Sequence, residues 1–292
     1  MIITNVIGGL GNQMFQYAFG RALALRHGVP LKLDLHEFRA YKLHSGFLLD
    51  KVFKLPAEPA SVADRRQVLG WRGHLPVLKV LRRPRFAAWR GSKLVVQDLS
   101  EPTASYVCAA SADCYLLGYW QSESYFAEAA DQVRRDFRFV PELSGDNRSW
   151  ARRILDGMGV SLHIRRGDYA SDPQTRATHG LCPPEYYRRA AAHIAERAAG
   201  AEFFVFSDDL AWARESLKLP QPHHFVDCNG PAASFHDMRL VSLCRHHIIA
   251  NSSFSWWGAW LCEHAGKMVV APARWLAEVL MPDVVPASWI RL

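Results

Sequence analysis

At 292 residues the chain is long enough for one large domain or two modest ones, each with a sizeable core. Apolar residues make up 49% and charged residues 22%, which excludes a disordered or fibrous chain. The formal charge of +7 suits an anionic partner, whether nucleotide, nucleic acid or membrane surface, and does not choose among them.

Residues 2–7 read as a buried strand, and Gly8-Gly9-Leu10-Gly11 as a tight turn of the kind glycine permits. A helix is predicted from about Asn12 to His27, with Met14, Phe15, Ala18, Phe19, Ala22 and Leu23 facing a core; Gly28 and Pro30 stop it. With a second strand at Leu31–Asp34 this is a βαβ opening. It matches a dinucleotide fingerprint only loosely, because the order is GGLG and not GxGxxG. The amides of Asn12 and Gln13 either meet a sugar or phosphate, or Asn12 caps the helix.

Residues 35–100 show no long periodicity and are expected to form short helices and loops. Within them, Leu78 to Arg90 sets Lys79, Arg82, Arg83, Arg85 and Arg90 among Leu81, Phe86 and Trp89. That pattern fits an anionic membrane surface or a solvated helix face. Cys114–Trp120 reads as a strand whose Tyr119 and Trp120 either stack on a sugar or fill the core. A helix from about Arg148 to Leu155 runs into Gly157-Met158-Gly159, and the domain boundary is placed there, giving 1–157 and 158–292.

From Val160 onward strand and helix alternate, the pattern of a parallel sheet covered on both faces. Strands are read at 160–164, 201–206, 223–227, 247–251 and 267–272, and Tyr169–Pro184 as a loop. Three polar clusters fall at strand ends: Arg165-Arg166-Gly167-Asp168, Ser207-Asp208-Asp209 and Asn251-Ser252-Ser253-Phe254-Ser255. In a parallel sheet they converge on one edge, where open α/β folds bind ligands. Arginine offers a rigid donor fork for phosphate, and serines before a helix present hydroxyls and free N–H groups to an anion. The expected site is therefore a diphosphate site made of Arg165 and one helix N-terminus; the alternative is an arginine pair bridged to the protein's own carboxylates. Asp237 either accepts from a purine N–H or ribose hydroxyl, or compensates its own helix N-terminus. Asp208-Asp209 suggests a metal-binding acid pair only weakly, since adjacent residues at a strand end diverge.

The six cysteines form no CxxC pair, so neither a zinc ribbon nor a disulfide scaffold is expected, and a reducing cytoplasm is the default setting. The first residues lack the basic flank and long apolar core of a signal peptide, and no apolar run is long enough to span a bilayer. The aromatics form no RNA-binding module and the basic charge is read as dispersed, which argues against nucleic acid.

Gly8-Gly9-Leu10-Gly11-Asn12-Gln13-Met14-Phe15-Gln16-Tyr17, His163-Ile164-Arg165-Arg166-Gly167-Asp168-Tyr169 and Ala250-Asn251-Ser252-Ser253-Phe254-Ser255-Trp256-Trp257-Gly258-Ala259-Trp260-Leu261 occur in order, with Phe206-Ser207-Asp208-Asp209 and His236-Asp237-Met238 between the last two. In these motifs the chain resembles the bacterial α-1,2-fucosyltransferases of glycosyltransferase family 11. The resemblance implies a GT-B-like α/β fold, two Rossmann-like domains facing a cleft, with the acceptor on the first and GDP-β-L-fucose on the second. It implies inverting transfer of L-fucose to the 2-hydroxyl of a galactose-like residue in an oligosaccharide or O-antigen glycan. No cofactor and no divalent metal are expected.

By the same resemblance Arg165 holds the diphosphate, His163 and Asp237 lie near guanine or ribose, and Ser253 or Ser255 assists the phosphate. Gly11 and Asn12 face the fucose–phosphate region, and Ser207, Asp208, Asn251, Ser252 and Phe254 complete the donor site. Asp168 and Asp172 are the candidate catalytic bases. The expected partner is a β-galactoside glycan, lipid-linked in the O-antigen case, met at the inner face of the membrane through segment 79–90.

Overall fold

The computed structural model describes residues 1–40 and 45–292, which form two compact units, Met1–Val140 and Pro141–Leu292. In the first unit, strands β1 (Ile2–Asn5), β2 (Leu31–Asp34), β3 (Glu58–Pro59), β4 (Leu94–Val96) and β5 (Cys114–Leu117) make a sheet in the order β3-β2-β1-β5-β4. Its pairings are all parallel. β1 is central and fully buried, its polar Thr4 and Asn5 included, as in a parallel sheet covered on both faces. The helix α1 (Leu10–His27) buries Met14, Phe15, Ala18, Phe19 and Leu23 and ends on Gly28, whose φ of +63° closes the last turn. On the other face Ile3 and Tyr115 pack with Val68, Leu69, Leu78, Leu81 and Leu94.

Residues 35–100 are, as the lack of periodicity implies, mostly short helical turns, although β3 and β4 also lie here; at two and three residues they are too short to show a strand period. Residues 41–44 of this stretch fall outside the described residues. Trp120 resolves one alternative: it is fully buried, edge-on to Tyr125 and Tyr106 and packed on Phe19, whereas Tyr119 stays exposed.

The second unit carries β6 (Met158–Ile164), β7 (Ala201–Ser207), β8 (His223–Phe225), β9 (His246–Ile248), β10 (Val269–Ala271) and β11 (Ile290–Arg291), in the order β11-β10-β9-β6-β7-β8 and again all parallel. β7 shows why both faces are covered. Phe203 and Val205 join the core built on the helix Pro184–Ala195, while Phe204 and Phe206 join the core built on the helices Gly145–Asp156 and Phe235–Leu243.

Two expectations change. The division falls after Val140 and not at 157/158, because Ala151 and Ile154 of the helix Gly145–Asp156 belong to the second unit's core. The stretch 169–184 is not a plain loop: it contains short helices at Gly167–Ser171 and Pro173–His179. The chain closes on β11, paired with β10 in the second sheet. Among the described residues, no helix is long and apolar enough to cross a membrane.

Candidate active site

The parallel order brings the ends of β9, β6 and β7 side by side, so the three polar clusters share one sheet edge. Because Ile164 pairs with Ser207, the residues that follow, Arg165-Arg166 and Asp208-Asp209, meet as opposite charges. Asp208 accepts from the Arg166 amide (2.7 Å) and forms an ion pair with Arg165 Nη1 (2.9 Å). Asp168 Oδ1 takes a hydrogen bond from Arg165 Nη2 at 2.6 Å. Asp209 caps the helix Leu210–Ser216 through the Trp212 amide and pairs with Arg166 Nε at 3.2 Å. The Arg166 guanidinium lies 3.9 Å over the Trp212 ring, and that of Arg165 lies 5.3 Å from the Tyr169 ring.

The arginine pair is thus bridged to the protein's own carboxylates. This does not exhaust Arg165: five N–H donors meet two carboxylates, which leaves donors for a third anion. Gly167 belongs to the same construction, since a Cβ there would stand 2.7 Å from Asp208 Oδ2. Ser207 serves the loop as well, its hydroxyl accepting from the Asp209 amide at 2.9 Å.

His163, next along β6, is buried, its ring 5.3 Å from that of Phe254. Burial, with the Arg165 charge adding to it, pushes its pKa down to about 3, so the imidazole is neutral. Its Nδ1 is buried without a hydrogen-bond partner among the described residues. Such an atom costs free energy on the order of 1–3 kcal/mol unless a ligand meets it.

The helix Ser253–Leu261 starts at this edge with Ser252 as its N-cap residue and no side-chain cap, so its first N–H groups have no side-chain acceptor. Ser253 and Phe254 are half-buried there. Asn251 and Ser255, both expected to touch the ligand, face inward. Asn251 Nδ2 donates to the carbonyls of His179 and Trp275, and Ser255 is fully buried with its hydroxyl donating to the Ser252 carbonyl at 3.1 Å. Both tie the turn to its surroundings and have no polar atom free for phosphate.

Asp172 is likewise spent on structure. Its Oδ1 accepts from the Thr175 amide at 2.8 Å as N-cap of Pro173–His179, and that bond holds its carboxyl below the usual range, which makes it a weak base. The stacked pair Tyr169–His179, 4.4 Å apart, fixes the two short helices to each other.

Asp237 sits in the first turn of Phe235–Leu243, where Asn229 Nδ2 donates to it at 2.6 Å and Asn229 in turn exchanges hydrogen bonds with Asn147. Burial raises its pKa to about 7, the Asn229 bond opposing. The two asparagines drew no notice in the sequence, because they lie 82 residues apart and only the fold joins them.

In the first unit Gly11 is buried in the opening turn of α1 and Asn12 follows it, its Oδ1 accepting from Gln121 Nε2 at 2.7 Å. Asn12 does not cap the helix; the N-cap residue is Gly9. Gly8 has a φ of +89°, and a Cβ there would press on Asn12. Gln13 and Gln16 are consumed internally. Gln13 ties the Gly8 and Gly46 carbonyls to the Leu48 amide, and Gln16 joins the Ile7 amide to the Gly118 carbonyl. Half of what makes the opening motif distinctive is scaffold.

Among the described residues no group of three or more His, Cys, Asp or Glu side chains is placed to hold a metal ion. Both acids of the Asp208-Asp209 pair are engaged by arginines.

The chain is 43% identical to the O-antigen biosynthesis glycosyltransferase WbnK of Escherichia coli, with 98% of each chain covered. It is 34% identical to an alpha-1,2-colitosyltransferase of Escherichia coli, over all of this chain and 99% of that one. In structure it is similar to the NodZ alpha-1,6-fucosyltransferase soaked with GDP-fucose, with a TM-score of 0.54 at 15% identity, covering 89% of this chain and 91% of that one. That likeness is one of fold, and with the two parallel α/β units it makes the architecture GT-B. The sequence model described as Glycosyl transferase family 11 matches residues 85–291, which include the arginine-clamped strand end and the serine turn. An arginine and a capless helix start on one sheet edge, in a chain alike over its whole length to an O-antigen biosynthesis glycosyltransferase and an alpha-1,2-colitosyltransferase, make this protein a glycosyltransferase and a member of glycosyl transferase family 11.

Proposed function

We propose that the protein transfers L-fucose from GDP-β-L-fucose, with inversion, to the 2-hydroxyl of a terminal galactose-like residue of an O-antigen or related glycan. The observation that carries the reading is the shared edge of β6, β7 and β9, where Arg165, the neutral His163 and the start of the helix Ser253–Leu261 stand together. It is supported by the α-1,2 and O-antigen names of the relatives. The bond between the anomeric carbon and the β-phosphate oxygen breaks, its electron pair stays on GDP, and the acceptor oxygen bonds to the opposite face of the sugar while losing its proton.

Arg165 and the free N–H groups of the helix start bind the charge that grows on the phosphate more tightly than the ground state. The His163 Nδ1 and the Asp237 carboxylate are the groups offered to guanine or ribose. Gly11 and Asn12 of the first unit are the sugar-side residues. Asp168 is the remaining candidate base. With Asp172 used as a cap, an oxocarbenium-like path that asks little of a base suits the site. No divalent metal is required in this reading, and a lipid-linked acceptor reached at the inner membrane face fits the O-antigen relative.

A colitose donor is the second reading, favoured by the full-length similarity to a colitosyltransferase. The test is release of GDP from GDP-fucose and GDP-colitose, with EDTA present, against a panel of β-galactosides. Turnover that needs a galactoside and falls about 10²–10³-fold in Arg165→Ala is expected. Turnover that vanishes with EDTA and returns with a divalent ion would refute the metal-free mechanism, and failure to bind either nucleotide sugar would refute the donor.

A further inference from the structure

Between Arg65 and Gln97 the chain holds nine Lys and Arg residues and no Asp or Glu. Against +7 for the whole chain, the rest is left at −2. The basic charge is therefore concentrated, not dispersed. Three of the nine meet carboxylates, Arg65 on Asp34, Lys93 on Asp113 and, at 3.6 Å, Arg82 on Glu37. Among the described residues no carboxylate is within ion-pair reach of Lys79, Arg83 or Arg85, all exposed.

The turns Gly70–Gly73 and Pro84–Trp89 and the helix Leu75–Leu81 between them form one surface. Arg72 Nε donates to the Trp89 carbonyl at 2.7 Å while its guanidinium lies 4.9 Å from the Trp71 ring, and Arg90 Nε donates to the Leu81 carbonyl at 2.9 Å. Leu78 and Leu81 point into the core. Outward stand Trp71, 54% exposed, Trp89, 64% exposed, and Val80, 42% exposed.

We propose that this basic, tryptophan-bearing face docks on an anionic phospholipid bilayer. Guanidinium and ammonium groups meet lipid phosphates, and exposed indoles settle at headgroup depth, where an apolar body and a polar edge are both satisfied. The alternative polyanion, single-stranded nucleic acid, is held by base stacking on free ring faces. Here Arg72 covers one face of Trp71 and Arg85 one face of Phe86, at 4.9 Å each. The surface also borders the sheet edge used for ligands in such folds. The Arg82–Glu37 pair ties it to the turn His36–Arg39, which follows directly on β2. An acceptor anchored in that bilayer would be delivered to the first unit's edge. The inference is independent of the proposed donor and acceptor, since binding to lipid is measured without turnover.

The experiment is flotation with vesicles of phosphatidylcholine alone and with an equal part of phosphatidylglycerol, at physiological salt. It compares the full chain with Arg82→Glu/Arg83→Glu/Arg85→Glu and with Trp71→Ser/Trp89→Ser, circular dichroism confirming each fold. The expected result is binding to the anionic vesicles only, weakened roughly tenfold or more by charge reversal and severalfold by loss of the two indoles. Equal binding to both vesicles, or none, overturns the proposal. So does a tryptophan variant that floats like the parent, because the face would then be a general polyanion surface.

Discussion

Asp237 is the residue whose environment makes the clearest pH statement. Its folded pKa is raised to about 7, above the ordinary 3.8, so between those values the native state holds a proton that the unfolded state has lost. Stability from this group is therefore full below about pH 4 and declines as pH rises toward 7. GDP affinity should run the other way, because a guanine N–H or ribose hydroxyl needs an acceptor carboxylate. We expect GDP to bind more tightly as pH rises through 7, and Asp237→Asn to flatten that profile in calorimetric titrations at several pH values. An unchanged profile in the variant would remove Asp237 from the base site. The two serines of the helix start divide similarly. Ser255→Ala should lower thermal stability by about 1–2 kcal/mol, since it removes the buried hydroxyl that donates to the Ser252 carbonyl, and leave GDP affinity intact. Ser253→Ala should weaken GDP binding with little effect on the melting temperature.

At the scale of elements, the clamp at the ends of β6 and β7 separates positioning from contact. Asp208 touches Arg165 and the Arg166 amide, so Asp208→Asn should leave the fold intact but lower kcat more than it raises KM, because Arg165 loses its set position for the phosphate. A change confined to KM would argue that Asp208 contacts the donor itself. Asp172→Ala should fray the helix Pro173–His179 while leaving kcat within about threefold of the parent; a loss of several orders would restore Asp172 as the base. The helices Phe235–Leu243 and Ser253–Leu261 pack so closely that a Cβ on Gly258 would lie 2.5 Å from Val241 Cγ1. Gly258→Ala is therefore expected to lower the melting temperature, and Val241→Ala to restore part of the loss.

For the whole molecule, the division after Val140 has a consequence for fragments. A chain of 141–292 retains Ala151 and Ile154 against Phe204 and Phe206 and is expected to be soluble with a cooperative melt. A chain of 158–292 strips that cover from one face of the second sheet and is expected to aggregate. Equal behaviour of the two fragments would mean that the helix Gly145–Asp156 adds nothing to the second unit. The end of the chain matters for the same reason: Trp256 Nε1 donates to the Val284 carbonyl at 2.7 Å and β11 completes the sheet, so truncation before residue 283 should also expose core.

The residues by themselves determined the alternating second half, the βαβ opening and the strand ends that carry the site, because apolar runs bounded by glycine and polar clusters depend only on local order. The candidate roles of Arg165 and the serine turn were legible for that reason, whereas that of His163 came only from the family resemblance. Which charged groups face each other depends on strand pairing. The register of Ile164 with Ser207 sets Asp208 and Asp209 against Arg165 and Arg166. Burial decided Ser255, Asn251 and Trp120, whose side chains look the same on paper whether they face a ligand or the core. The tertiary structure also moved the boundary to Val140, since the glycines after Asp156 mark the end of a helix and not the end of a core. Only packing shows on which sheet a helix lies.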